Sequence, residues 1–212
     1  MIQLLTKNHI TASCIISNHQ VCKNGETLFA GAEADLHTFL PTIYQHFAFS
    51  YPRFYKMDHL SKLGWLAAEI LLQDSFSKEN YQPEEVGMMI TNANASLDSD
   101  LKYLASVSDI PSPALFVYTL PNIMIGEISI RNNFKGEAAF FISAAFDAGF
   151  IEVCVNNLFK YSGLKACICG WVDVIGEEYK AVLFLVEKGC NEGEIPFDKQ
   201  EMNKIFEQSL IE

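Results

Sequence analysis

The chain has 212 residues, half of them hydrophobic, enough to bury one sizeable core in a single domain spanning 1–212. Asp and Glu outnumber Lys and Arg 26 to 15, and the resulting formal charge of −11 argues against a nucleic-acid partner, which needs clustered cations. No run approaches the roughly 18 apolar residues of a membrane span, and Met1 to His9 lack an apolar signal core, so no membrane span is expected and the expected compartment is the cytoplasm.

Taken in chain order, Ile10 to Ser17 is a β-branched run and predicts a first strand, followed by a loop with a turn at Asn24-Gly25. Glu26 to Pro52 has scattered aromatics without a period and reads as irregular or partly helical. From Asp58 to Asp74, Leu60, Leu63, Leu66, Ala67, Ile70 and Leu71 fall on one helical stripe, with Asp58 placed to cap its start. Val86 to Thr91 predicts a buried strand, and Leu97 to Val107 returns to helical spacing. Pro111 to Phe134 mixes both periods, with Pro121 able to open a helix.

Ala138 to Ser143 is an apolar strand that runs into Ala144-Ala145-Phe146-Asp147-Ala148-Gly149 and then a helical run to Tyr161. Lys165 to Val174 and Tyr179 to Glu187 are strands joined by Gly176-Glu177-Glu178, a connection short enough to make them antiparallel neighbours. Phe197 to Ile211 closes the chain as a helix that starts near Pro196 or Asp198. The order predicts an α/β fold: a mostly parallel five-stranded sheet with one antiparallel edge strand and helices on both faces.

Several segments resemble β-ketoacyl-acyl-carrier-protein synthases, the ketosynthases of the thiolase-like fold. Arg53-Phe54-Tyr55-Lys56-Met57-Asp58-His59-Leu60-Ser61-Lys62-Leu63-Gly64 resembles the stretch leading into their first long helix. Thr119-Leu120-Pro121-Asn122 to Ile128-Ser129-Ile130 is similar to the helix before their nucleophile strand. Phe134-Lys135-Gly136-Glu137 with the strand after it resembles the turn and nucleophile strand themselves. Cys169-Gly170-Trp171-Val172-Asp173 and Ala181 to Glu187 are similar to the two strands that follow. The matches cover most of residues 50 to 188 in the family's order. The resemblance implies the N-terminal half of a fold in which two related halves normally share one chain.

In the family, the strand matching Ala138 to Ser143 ends at an elbow bearing the nucleophilic cysteine, whose thiolate is favoured by the helix N-terminus behind it. Here that position falls on Phe146, or on Ala145 with a one-residue slip, and neither attacks a thioester. Family members also stabilise the enolate and oxyanion with histidines of the second half. His9, His19, His37, His46 and His59 all precede the elbow, so condensation has neither nucleophile nor oxyanion donors.

Other candidates are weaker. Ser143 lies beside the elbow with no base at a readable spacing. Asp147 reads as a helix cap, Cys154 as a core thiol, and His59 as a surface side chain at a helix entrance. Asp98 and Asp100 with Glu84 and Glu85 read as helix starts and solvated faces. Cys167 and Cys169 would face one side of a strand with no histidine nearby, so neither a metal nor a cofactor is expected. Arg53, Lys56 and Lys62 gather positive charge where a carrier protein could dock.

The resemblance therefore implies a non-catalytic ketosynthase-like subunit, comparable to chain-length factors, in fatty acid, polyketide or aryl-polyene-type biosynthesis. Ala138, Ala139, Phe140, Phe141, Ile142 and Ser143 would pair across a dimer two-fold, in a homodimer or in a heterodimer with a full-length ketosynthase. The enzymatic alternative is a small acyltransferase or thioesterase acting on acyl-carrier thioesters through an unrecognised residue such as Ser143.

Overall fold

A computed structural model describes residues 8–32, 35–107, 111–189 and 195–208. Its sheet has eight strands: β1 (His9–Ser17), β2 (Gln20–Lys23), β3 (Glu26–Ala30), β4 (Val86–Asn92), β5 (Ala138–Ile142), β6 (Ala166–Ile175), β7 (Glu178–Glu187) and β8 (Ile195–Pro196). They lie in the order β3-β2-β1-β7-β6-β4-β5, with β8 beside β1.

This corrects the expected five-stranded, mostly parallel sheet with an antiparallel edge. Only β4–β5 and β4–β6 pair in parallel; the β1–β2, β1–β7, β1–β8, β2–β3 and β6–β7 pairs are antiparallel. The reversed strand, β7, sits between β1 and β6 rather than at the edge. Three further short strands were not expected: β2 lies in the stretch read as loop, β3 in the one read as irregular or partly helical, and β8 just before the last helix. Asn18, His19 and Asn24 take left-handed backbone, as does Gly25, and so turn β1 into β2 and β2 into β3.

Alternation along the strands divides the core into two faces. Cys14, Ile16, Leu183 and Leu185 point to a layer of α1 (Leu36–His46), α2 (His59–Leu72) and α5 (Asn122–Asn132). Ile15, Cys167, Cys169, Val182 and Phe184 point to α6 (Ala148–Tyr161) and α7 (Lys199–Gln208). The predicted stripe of α2 is buried, and so are Trp65 and Lys62 off the stripe, because α1 and α5 flank the helix. Two short helices remain, α3 (Leu97–Ser106) and α4 (Pro113–Val117). Pro121 immediately precedes α5 at the N-cap position, one residue before the first helical position expected for it, and makes no capping hydrogen bond.

Gly170 is needed where it stands. Its φ is +142°, and a Cβ there would lie 2.1 Å from the carbonyl oxygen of Val182 on the neighbouring strand. Further along β6, the Asp173 carboxylate accepts from the backbone N–H of Asn94, in the loop after β4, at 3.1 Å and from its Nδ2 at 2.7 Å.

Candidate functional site

The carboxyl ends of β4 and β5 lie side by side. The N–H of Ser143 donates to Asn92 O at 2.8 Å, and residues 143–147 then bridge to the start of α6. The Asp147 carboxylate caps α6 by accepting from the Phe150 N–H at 2.9 Å. A fixed negative charge thus occupies the helix end that would otherwise favour a thiolate. None of residues 143–147 has a positive φ, so the connection is not a strained elbow.

Ala145 is exposed, and the Phe146 ring stacks on Phe206 of α7, centroids 4.1 Å apart. Lys180 lies 3.8 Å from the Phe206 centroid and Trp171 meets the same ring edge-on, so α7 closes over this side of the elbow. Ser143 Oγ donates to Ala145 O at 2.8 Å, a local turn bond rather than a link to a base.

The histidines sit elsewhere: His9 at the start of β1, His19 against Phe39 and Tyr179, His46 against Phe29, and His37 beside His59. Cys154 is partly buried in α6, while Cys167 and Cys169 are fully buried, their thiols pushed up by desolvation, Cys167 to about 12. Cys190 lies outside the described residues. Among those described, no group of His, Cys, Asp and Glu could hold a metal ion.

Among the described residues, the strand expected to pair across a two-fold lies at one edge of the sheet. Of Ala138–Ile142, Phe141 is 38% and Ile142 64% exposed, and Phe150 and Val153 of α6 add exposed apolar surface. A bare apolar edge of this kind is a template for another strand.

The basic stretch before α2 is organised around Glu127. Arg53 forms an ion pair with the buried Glu127 carboxylate at 2.9 Å, and the Tyr51 hydroxyl donates to it at 3.3 Å. Phe54 is fully buried, stacked on Tyr44. The expected gathering of three cations is reduced to two on the surface, Arg53 and Lys56. Lys62 is buried, its ammonium 5.8 Å from the Phe54 centroid, and burial lowers its pKa.

One cluster has no counterpart in the sequence reading. His59, expected at the surface, is largely enclosed, 3.7 Å from Asp98 Oδ2 and 3.2 Å from Lys102 Nζ. Burial, with Lys102 close by, holds its pKa below the usual histidine value. Asp98 also pairs with Lys102 at 2.7 Å and accepts from the Gly176 N–H, while Asp58, besides capping α2, accepts from Ser99 Oγ at 2.5 Å. Glu85 pairs with Lys165 at 2.6 Å, whereas Asp98, expected at a helix start or on a solvated face, is buried.

No protein-family model matches the sequence, and no curated protein is significantly similar to it. Solved structures do share its fold. A chain of a ketosynthase (ApeO) in complex with its chain length factor (ApeC) from Xenorhabdus doucetiae superposes with a TM-score of 0.60 at 14% identity, covering 97% of this chain and 92% of that one. The ishigamide ketosynthase/chain length factor gives 0.63 at 14% identity over 90% of this chain and 64% of that one. A type II polyketide synthase assembly of ketosynthase and acyl-carrier protein, AntDE:AntF, gives 0.60 at 13% identity over 87% and 63%. This chain thus spans just under two thirds of the last two and nearly all of the first. It has a ketosynthase-like thiolase fold.

Proposed function

We propose that this chain is a non-catalytic, ketosynthase-like subunit that pairs with a full-length ketosynthase and acts as a chain-length-factor-like partner in fatty acid, polyketide or aryl-polyene-type assembly. The observation that carries the reading is the β5–α6 connection. Phe146 is committed to a stack with Phe206, Asp147 places negative charge at the helix start, and no histidine bonds to Ser143. Condensation needs an activated nucleophile and donors for the developing oxyanion, and this arrangement supplies neither.

Three further features fit the reading. The edge strand Ala138–Ile142 has a row of main-chain groups to offer a matching strand. Chains of similar fold occur in complexes of a ketosynthase with a chain length factor, one of them matched over 92% of its length. Arg53 and Lys56 are the surface cations an acidic carrier protein would meet.

The test is affinity purification from the native cell, followed by incubation with malonyl and acyl thioesters. The expected result is a ketosynthase in stoichiometric amount, with no condensation product from the isolated chain. Recovery of neither a ketosynthase nor a carrier protein overturns the proposal. Covalent acylation abolished by Ser143→Ala would replace it with an acyltransferase or thioesterase.

A further inference from the structure

Residues of the stretch 76–86 and the end of α5 line a cavity of about 360 Å³ at the far end of β4 from Ser143. Val86, the first residue of β4, lies in its wall, whereas Ser143 bonds to Asn92, the last, roughly 20 Å along the strand. The apolar side of the cavity is aromatic. Phe76 stacks on Tyr81 with centroids 5.0 Å apart and meets Phe134 edge-on at 5.6 Å.

These walls are fixed by the main chain. Pro83 O accepts from the Lys135 N–H at 2.8 Å and Val86 O from the Gly136 N–H at 3.1 Å, while the Tyr81 hydroxyl donates to Glu187 of β7. Gly136 is needed for this approach, since a Cβ there would lie 2.5 Å from Val86 O. A cavity whose walls are already tied down gives up little binding free energy to ordering.

The polar groups around the cavity are uncommitted. Arg53, Lys102, Arg131 and Lys165 are all paired with carboxylates, but among the described residues Lys78 and Glu79 have no side-chain partner, and they form no ion pair with each other. Asn132 donates from Nδ2 to Glu69 at 2.9 Å and keeps its Oδ1 free, and the side-chain amide of Asn133 makes no hydrogen bond among the described residues. Lys78 and Glu79 are exposed neighbours on one 3-10 turn, with Cα atoms about 3.8 Å apart, so opposite charges stand side by side at the mouth of an aromatic pocket. A simple anion would be drawn to Lys78 but repelled by Glu79 and by a chain that carries −11 overall. A simple cation would meet Lys78. A ligand that carries both charges on one carbon satisfies both residues.

We infer that this cavity binds a small zwitterion with an apolar body, the chemistry of a free aromatic or branched amino acid. Its carboxylate meets Lys78, its ammonium meets Glu79 and Asn132 Oδ1, and its side chain lies against Phe76 and Phe134. The inference is independent of the pairing proposed above, because the cavity shares no residue with β5 or the β5–α6 connection.

The experiment titrates the whole chain with L-phenylalanine and L-leucine, followed by calorimetry and thermal melting, beside 3-phenylpropionate, which lacks the ammonium, and phenethylamine, which lacks the carboxylate. The expected result is that at least one of the amino acids binds and raises the melting temperature, and that each one-charge analogue binds at least about tenfold more weakly than phenylalanine. Lys78→Ala and Glu79→Ala alter exposed side chains, so circular dichroism should be unchanged, while each should weaken amino-acid binding at least about tenfold. Absence of heat and of any melting shift with both amino acids up to about 10 mM overturns the inference. So does binding of 3-phenylpropionate or phenethylamine as tight as that of phenylalanine, which removes the zwitterion. Amino-acid binding that neither substitution weakens places the ligand elsewhere and overturns it as well.

Discussion

The rings of Phe146 and Phe206 lie 4.1 Å apart at an interplanar angle of 1°, tying the β5–α6 connection to the C-terminal helix. Phe206→Ala removes that stack and the Lys180 contact on the same ring. It should cost about 2 kcal/mol and loosen α7 before the rest of the domain. Urea unfolding reads the first effect, and the rate of limited proteolysis within 199–208 reads the second.

Phe146→Cys restores a thiol at one of the two candidate nucleophile positions but not the chemistry. The cysteine would sit at a helix start already capped by Asp147, with no histidine bonded into the connection. No ketoacyl product should form from malonyl and acyl thioesters, and iodoacetamide should alkylate the new thiol no faster than an ordinary exposed one. A condensation product would show that the missing side chain is the sole defect.

Gly170→Ala should be severely destabilising, by about 3 kcal/mol, since the added methyl meets Val182 O and the backbone conformation is one that L side chains rarely adopt. Thermal melting measures it. A loss below about 1 kcal/mol would mean that β6 and β7 can separate locally to admit the methyl.

Stability should fall with acidity in two steps. His59 is held neutral by burial and by Lys102 beside it, with Asp98 opposing and Lys62 and His37 adding to the effect. Its folded pKa is below its unfolded one, so the unfolded chain binds the proton first. Stability is therefore lost as pH falls through the ordinary histidine value of about 6.5. Asp35 and Glu85 are shifted down by hydrogen bonds to Thr38 and Lys165 respectively, so their contributions persist until the lower carboxylate range. His59→Gln should flatten the upper step and leave the lower one, as read by denaturation at a series of pH values.

What the sequence made legible depended on where periodicity and burial coincide. The leucines of α2 and the alternation of β6 and β7 are read directly because each is buried on the face the pattern marks. The hairpin of β2 and β3 escaped because four-residue β2 lies between two turn signals, which dominate so short a segment. Helix α1 contains Pro41, which interrupts the expected period. Strand order is not encoded in element order, so the interior place of β7 could not be read from its short connection to β6. In α3 the helical spacing is correct, but which face is buried is decided by Asp58 and Gly176, each tens of residues away. His59 was misplaced for the same reason: Asp98 and Lys102 enclose it from another helix.

The hairpin that widens the sheet also bears on the pairing proposed above. At its far end the sheet finishes in β3, bulged against β2 and opening on Glu26, a poor template for another strand. The opposite end finishes in the bare apolar β5. With one receptive end, strand addition stops after a single event. A molecule with two would grow into filaments, so if the pairing proposed above uses β5, assembly through the sheet should stop at two chains.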